Sequence, residues 1–160
     1  MREPAEGPPP LSLHHIGIVV ADIEKARDDY VNRFGYEICG PVIHDPEQTA
    51  HVLFLRMPNS STYVELVSPD GPASKLSAAL ERGGGLNHLC YATPDIVATI
   101  EAMTQCGMRL IRSPVAAIAF GGRRIAWLIG RDLAIVELVE QEAGPLGRMP
   151  GFDQPFGNEL

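Results

Sequence analysis

Leu86-Asn87-His88-Leu89-Cys90-Tyr91-Ala92-Thr93-Pro94-Asp95-Ile96 restates an earlier stretch, Leu13-His14-His15-Ile16-Gly17-Ile18-Val19-Val20-Ala21-Asp22-Ile23. His15 answers His88, an offset of 88 − 15 = 73 residues. The same offset lays Asp22-Ile23 on Asp95-Ile96 and Val52-Leu53-Phe54-Leu55 on Ile125-Ala126-Trp127-Leu128. With one residue deleted, Val64-Glu65-Leu66-Val67 falls on Val136-Glu137-Leu138-Val139. A period near 73 residues is too long for a solenoid unit and marks an internal duplication. Each copy is too small to bury an apolar face alone and must pair with its sibling.

The pattern within each copy is strand, helix, then three strands. In the first, Leu13 to Val20 has strand length and composition. Asp22 can cap a helix whose apolar spacing, Ile23, Ala26, Tyr30, Val31 and Phe34, ends at Gly35. Strands are expected at Tyr36 to Val42, His51 to Met57 and Thr62 to Val67, with a polar connection over His44 to Thr49. The second copy repeats this: a strand at Leu86 to Ala92, a helix starting at Thr93-Pro94 and ending at Gly107, and strands at Met108 to Arg112, Arg123 to Ile129 and Leu133 to Glu140. Ser113 to Gly122 reads as a longer, partly apolar loop, a candidate substrate lid. The expected class is α+β: a leader over 1–10, a βαβββ module over 11–67, a linker with a short helix over 68–85, a second βαβββ module over 86–141, and a tail over 142–160.

Composition narrows the function. A formal charge of −7 argues against a nucleic-acid partner, whose recognition rests on clustered Lys and Arg. No segment approaches membrane-spanning length, and the proline-rich start lacks the basic and apolar regions of a signal peptide. Cys39, Cys90 and Cys106 are odd in number and form no C-x-x-C pair, so a reducing cytoplasm is the expected setting.

Each copy carries a histidine early in its first strand and a glutamate in its last, 65 − 15 = 50 and 137 − 88 = 49 residues apart. Period-two geometry turns Tyr63, Glu65 and Val67 to one face and Val64 and Leu66 to the other. With the latter face packed on the helices, Glu65 points into the concave side of the sheet. Burying that charge costs several kcal/mol unless a cation or donors answer it. His15, Glu65, His88 and Glu137 can answer one another through a single divalent ion, and nitrogen and oxygen donors without thiolate suit Co, Ni, Mn or Zn. His14, beside His15, is expected to face the opposite side in a structural or surface role, and His44 and His51 have no counterparts in the second copy. Cys90 shares the parity of His88 and is read as a small core residue.

From His14 to Gln141 this pattern resembles the vicinal oxygen chelate superfamily, the glyoxalase and bleomycin-resistance fold, and within it the methylmalonyl-CoA epimerase family. The resemblance rests on His14-His15-Ile16-Gly17-Ile18-Val19-Val20, on Tyr63-Val64-Glu65-Leu66-Val67-Ser68-Pro69-Asp70-Gly71-Pro72, and on Gly85-Leu86-Asn87-His88 leading into Asp95-Ile96. It implies two paired βαβββ modules in a cupped mixed sheet, with the family's ligand positions falling on His15, Glu65, His88 and Glu137. It also implies an acyl-CoA or related thioester or α-keto substrate, and a homodimer. Family patterns near the final hairpin and the acyl-CoA are replaced here by Leu128-Ile129-Gly130-Arg131 and Ala119-Phe120-Gly121-Gly122, and a further carboxylate of some members by Val52, beside His51.

The chemistry implied is removal of a proton next to a metal-polarised carbonyl. Glu137 is the first choice for the base and Glu65 the second. Arg109, Arg112, Arg123, Arg124 and Arg131 cluster in the second copy, and Arg123 and Arg124 are read as receiving an anionic substrate tail. Three alternatives stay open: a glyoxalase I-like lyase with the same ligand set, a ring-cleaving dioxygenase using Fe(II), and a metal-free drug-binding protein whose cup is lined by aromatics such as Phe54, Tyr63 and Trp127.

Overall fold

The computed structural model describes residues 8–141; the tail and most of the leader expected from the sequence lie outside them. The first unit contains β1 (Ser12–Val19), α1 (Ile23–Phe34), β2 (Glu37–Ile38), β3 (Ile43–Asp45), β4 (Ala50–Arg56) and β5 (Tyr63–Pro69). A short helix, α2 (Ser77–Glu81), leads to β6 (Gly85–Thr93), α3 (Ile96–Gln105), β7 (Arg109–Ala116), a 3₁₀ turn (Ile118–Phe120), β8 (Arg124–Ile129) and β9 (Ile135–Glu140).

All the strands join one mixed sheet, ordered β2-β4-β5-β1-β6-β9-β8-β7, with β3 also paired to β4. β1 runs parallel to β5 and β6 parallel to β9, so each unit closes on its own first strand. The units join where β1 meets β6 antiparallel. Both modules therefore pair within one chain, and the first strands of the two copies lie side by side at the centre.

The helices cover one face. Ile23, Ala26 and Tyr30 of α1 pack with Leu53, Leu55, Val64 and Leu66, while Ile96, Ile100 and Met103 of α3 pack with Ala126, Leu128 and Leu138. The other face holds the central cluster, in which Phe54, Tyr63, Val67, Cys90, Phe120, Ile125 and Val139 are buried. The alternation read from the sequence in the last strand of each unit is thus realised, with Glu65 and Glu137 turned away from the helices.

Three local readings differ. Gly40, at φ 126, and Pro41 split the strand expected at Tyr36 to Val42, and β3 forms inside the segment read as a polar connection, pairing His44 with His51. The second helix starts one residue after Asp95, not at Thr93-Pro94. Asp95 Oδ1 accepts from Ala98 N, as Asp22 Oδ1 accepts from Glu24 N and Lys25 N, so the repeat carries the cap with it. The expected lid over Ser113 to Gly122 opens as strand and continues as a 3₁₀ turn. β7 continues to Ala116, and the turn that follows buries Ala119 and Phe120 as a wall of the core.

Candidate metal centre

Two bulges shape the centre of the sheet. Between Leu13, opposite Tyr91, and His15, opposite Cys90, β1 has one residue more than its partner, and that residue is His14. Between His88, opposite Gly17, and Leu86, opposite Ile18, the extra residue belongs to β6 and is Asn87. A bulge breaks period-two alternation and turns its extra residue out of register. His14 accordingly does not face away from His15 as strict alternation demands. Its Nδ1 stands 2.8 Å from the Nδ1 of His15, and its ring stacks on Tyr63 beside Phe54 and Phe120. Asn87 Oδ1 accepts from the Nδ1–H of His88 at 2.9 Å.

The opposite ring nitrogens converge. His15 Nε2 and His88 Nε2 are 3.1 Å apart. Glu65 Oε2 lies 3.3 Å from the first and 3.1 Å from the second, and Glu137 Oε2 lies 3.2 and 3.1 Å from them. All four residues are buried. Gly17 makes this possible: a Cβ there would stand 2.0 Å from Cε1 of His88, so the ring lies where any side chain would be.

The set fits a divalent ion. Donors about 2.1 Å from a shared ion stand about 3.0 Å apart at a right angle and about 3.4 Å apart at the tetrahedral angle. Observed separations of 3.1 to 3.3 Å fall between these. Glu137 Oε2 is buried and accepts no hydrogen bond although two ring nitrogens flank it. An acceptor in that position is answered by a cation.

Electrostatics bind the four together even without an ion. Burial alone would raise Glu65, but the charge and hydrogen bonds of His15, with those of His88, hold its carboxyl well below the ordinary range. Glu137 is also lowered, its burial outweighed by the proximity of His15 and His88. Burial would lower the histidines, yet Cys90, Glu65 and Glu137 raise His15 well above 6.5, and Glu137 and Glu65 raise His88. His14 is pushed down to about 3 by burial and by its neighbour His15. Burial takes the Cys90 thiol, beside His15, up to about 12.

The centre forms the floor of a cavity of about 440 Å³, where Glu65, His88 and Glu137 are exposed to the interior beside Asn87 and Trp127. His15 lies behind them. Phe120 stacks on its ring at 5.9 Å and Phe54 meets it edge to face at 5.5 Å. Asp45, Gln48, Lys75 and Arg112 bring polar groups to the walls. Arg112 reaches across from the second unit to Gln48 Oε1 and Glu47 Oε2.

All four residues expected to bind metal are therefore brought together. Arg123 and Arg124 are not brought to the cavity: Arg124 pairs with Glu140 and Arg123 donates to the Glu140 carbonyl. The end of β9 holds both, Arg124 by the Glu140 side chain and Arg123 by the Glu140 backbone, whereas Arg112, one of the same basic cluster, does line the cavity. Phe54 and Tyr63 are core residues, and of the three aromatics proposed to line a cup only Trp127 does so. The offset of 73 that matched the histidines also matches His14 with Asn87, the one signal that could have marked these as partners of the site.

Residues 14–127 match the glyoxalase/bleomycin resistance protein/dioxygenase superfamily. The chain belongs to this superfamily. Within it, the chain is 33% identical over 130 residues to the ethylmalonyl-CoA/methylmalonyl-CoA epimerase of Cereibacter sphaeroides, a match that covers 79% of this chain and 95% of that protein. Methylmalonyl-CoA epimerase from Mycobacterium tuberculosis superposes with a TM-score of 0.69 at 26% identity, covering 81% of this chain and 87% of that one. A variant of the Streptomyces coelicolor methylmalonyl-CoA epimerase in complex with 2-nitronate-propionyl-CoA shares the fold, with a TM-score of 0.72 at 24% identity over 82% of this chain and 97% of that one. These relatives bear out the epimerase-like enzyme of the superfamily over the lyase, dioxygenase and drug-binding alternatives.

Proposed function

We propose that this superfamily member is a divalent-metal-dependent epimerase of 2-substituted malonyl-CoA thioesters, with methylmalonyl-CoA or ethylmalonyl-CoA as substrate. The observation that carries the reading is the convergence of four buried donors, the histidine nitrogens 3.1 Å apart and each 3.1 to 3.3 Å from both carboxylates, beside a cavity of about 440 Å³. His15, Glu65, His88 and Glu137 would hold Co, Ni, Mn or Zn. When bound, such an ion supplies Lewis-acid polarisation of the thioester carbonyl and lowers the cost of the enolate.

The chain supplies the rest. Glu137 takes the proton from C2 of the substrate, and the electron pair of that C–H bond passes into the enolate. Oε2 of each glutamate is turned to the histidines, which leaves Oε1 as the atom that exchanges the proton. A proton returned to the opposite face of the planar carbon inverts it: Glu65, from the other unit, takes that proton from solvent and passes it to the carbon, while Glu137 releases the one it took to solvent. Lys75 and Arg112 on the cavity wall meet the anionic end of the substrate. Phe120, Ile125 and Trp127 exclude water around the reacting carbon.

No helix among the described residues is long and apolar enough to cross a membrane. Cys39, Cys90 and Cys106 are free thiols, which supports a cytoplasmic setting. A homodimer is retained from the resemblance and is tested by sedimentation of the full chain.

The decisive experiment supplies the Co(II)-loaded protein with a single epimer of methylmalonyl-CoA in D₂O. Deuterium at C2 together with formation of the other epimer supports the reading. Exchange absent with both acyl-CoA substrates, under each of Co, Ni, Mn and Zn, overturns it.

A further inference from the structure

The two bulges coincide with the two ligand histidines, and each extra residue meets the ring nitrogen that points away from the centre. His14 precedes His15 and contacts its Nδ1 at 2.8 Å; Asn87 precedes His88 and accepts from its Nδ1–H at 2.9 Å. The pair also matches in the repeat, 87 − 14 = 73. A plain strand would have placed both residues on the helix-packed face, beyond reach of the rings.

We propose that His14 and Asn87 are paired positioning residues, each presenting an acceptor that keeps the proton of its neighbouring histidine on Nδ1 and leaves Nε2 free for the metal. The proposal deepens the metal reading above and rests on it. A neutral imidazole carries one proton, so whichever nitrogen is paired with an acceptor donates and the other ligates. Asn87 meets this need with Oδ1. His14 meets it with a ring nitrogen, and its own proton then lies on Nε2, which is buried among Phe54, Tyr63 and Phe120 with no hydrogen-bond partner. With the roles reversed, His14 donating would move the His15 proton to Nε2, into the midst of the four donors. The two units thus solve one problem with different chemistry: an amide where the site opens to the cavity, an aromatic acceptor where it is sealed.

The test uses metal-stripped full-length protein titrated with Co(II) against a competing chelator, with the visible Co(II) spectrum as a second readout. His14→Phe keeps the ring and removes the acceptor; His14→Asn keeps an acceptor and removes the ring. At the other bulge, Asn87→Leu and Asn87→Asp make the same contrast on a partly buried residue. His14→Phe and Asn87→Leu are expected to weaken Co(II) binding by about 10- to 100-fold and to alter the spectrum. His14→Asn and Asn87→Asp are expected to stay close to the native affinity, and melting of the metal-free proteins reports folding separately. Native affinity and spectrum in folded His14→Phe or Asn87→Leu would overturn the proposal, as would loss in His14→Asn with retention in His14→Phe, the signature of packing alone. Native protein that binds no Co(II) would overturn the metal reading itself, before any variant is measured.

Discussion

The two halves of this molecule contribute the same ligands and opposite surroundings. In the first, His15 has no exposed surface, Phe54 and Phe120 close over it, and Gly17 leaves room for the ring of the other half's histidine. In the second, His88, Asn87, Trp127 and Glu137 all line the cavity, and Cys90 stands where Gly17 stands in the first. Phe54 meets His15 edge to face as Trp127 meets His88, at 5.5 and 4.7 Å. Duplication alone yields a symmetric four-donor cage. Divergence at the neighbouring positions seals His15 and leaves His88, with Glu65 and Glu137, facing the cavity.

The largest expected effect separates the glutamates. Glu137→Gln keeps an oxygen donor but removes the base, so the epimerisation rate falls by about 10²- to 10⁴-fold while metal content stays near native. Glu65→Gln is expected to lose less. Equal losses would show that the halves share the abstraction step in both directions, and full activity in Glu137→Gln would remove that residue from the chemistry.

Next comes the Gly17 and Cys90 pair. Gly17→Ala drives a Cβ into the His88 ring, 2.0 Å from Cε1. Displacing that ring costs about 1–3 kcal/mol of stability and is expected to abolish stoichiometric metal binding. Cys90→Gly removes a fully buried thiol beside His15 and should destabilise by a similar amount while metal still binds. Chemical denaturation and metal analysis of both variants check the contrast.

The pH dependence of the metal-free protein joins the halves again. His15 and His88 are raised above 6.5, so their contribution is complete below 6.5 and is lost as pH rises through the raised values. Glu65 and Glu137 lie below 4.5, so theirs is complete above 4.5 and is lost as pH falls through the lowered values. Stripped protein is therefore most stabilised by the cluster between 4.5 and 6.5. Metal competes with protons for the same donors, so its stabilisation grows with pH. Melting curves should show loaded and stripped protein diverging between about pH 5.5 and about pH 8.5; parallel curves would contradict the cluster.

The smallest effect is expected of Trp127→Phe, which gives the second half the aromatic of the first. Trp127 Nε1 is buried without a partner, so its removal offsets part of the lost contact, and stability should change by no more than about 1 kcal/mol. Turnover should change more than stability, because the ring borders both His88 and the cavity.

His15, His88, Glu65 and Glu137 could be named from the sequence because duplication writes a matched position twice, and a recurrence at matched offsets is visible without coordinates. The βαβββ order was legible for the same reason, since strand and helix periods are local properties of the chain. The place of His14 was not: alternation sends it to the helix side, and only the pairing of β1 with β6 introduces the bulge that turns it onto His15. Arg123 and Arg124 lie away from the cavity because charge alone does not say which acceptor a guanidinium will find: Arg124 pairs with the Glu140 carboxylate and Arg123 donates to the Glu140 carbonyl. The lid became a wall because Phe120 gains more from covering His15 than from solvent. The sequence by itself determined the repeat, the class of fold and the donor set. Register, bulges and the choice of open side came only with the tertiary structure, because they depend on which strand each residue meets across the sheet.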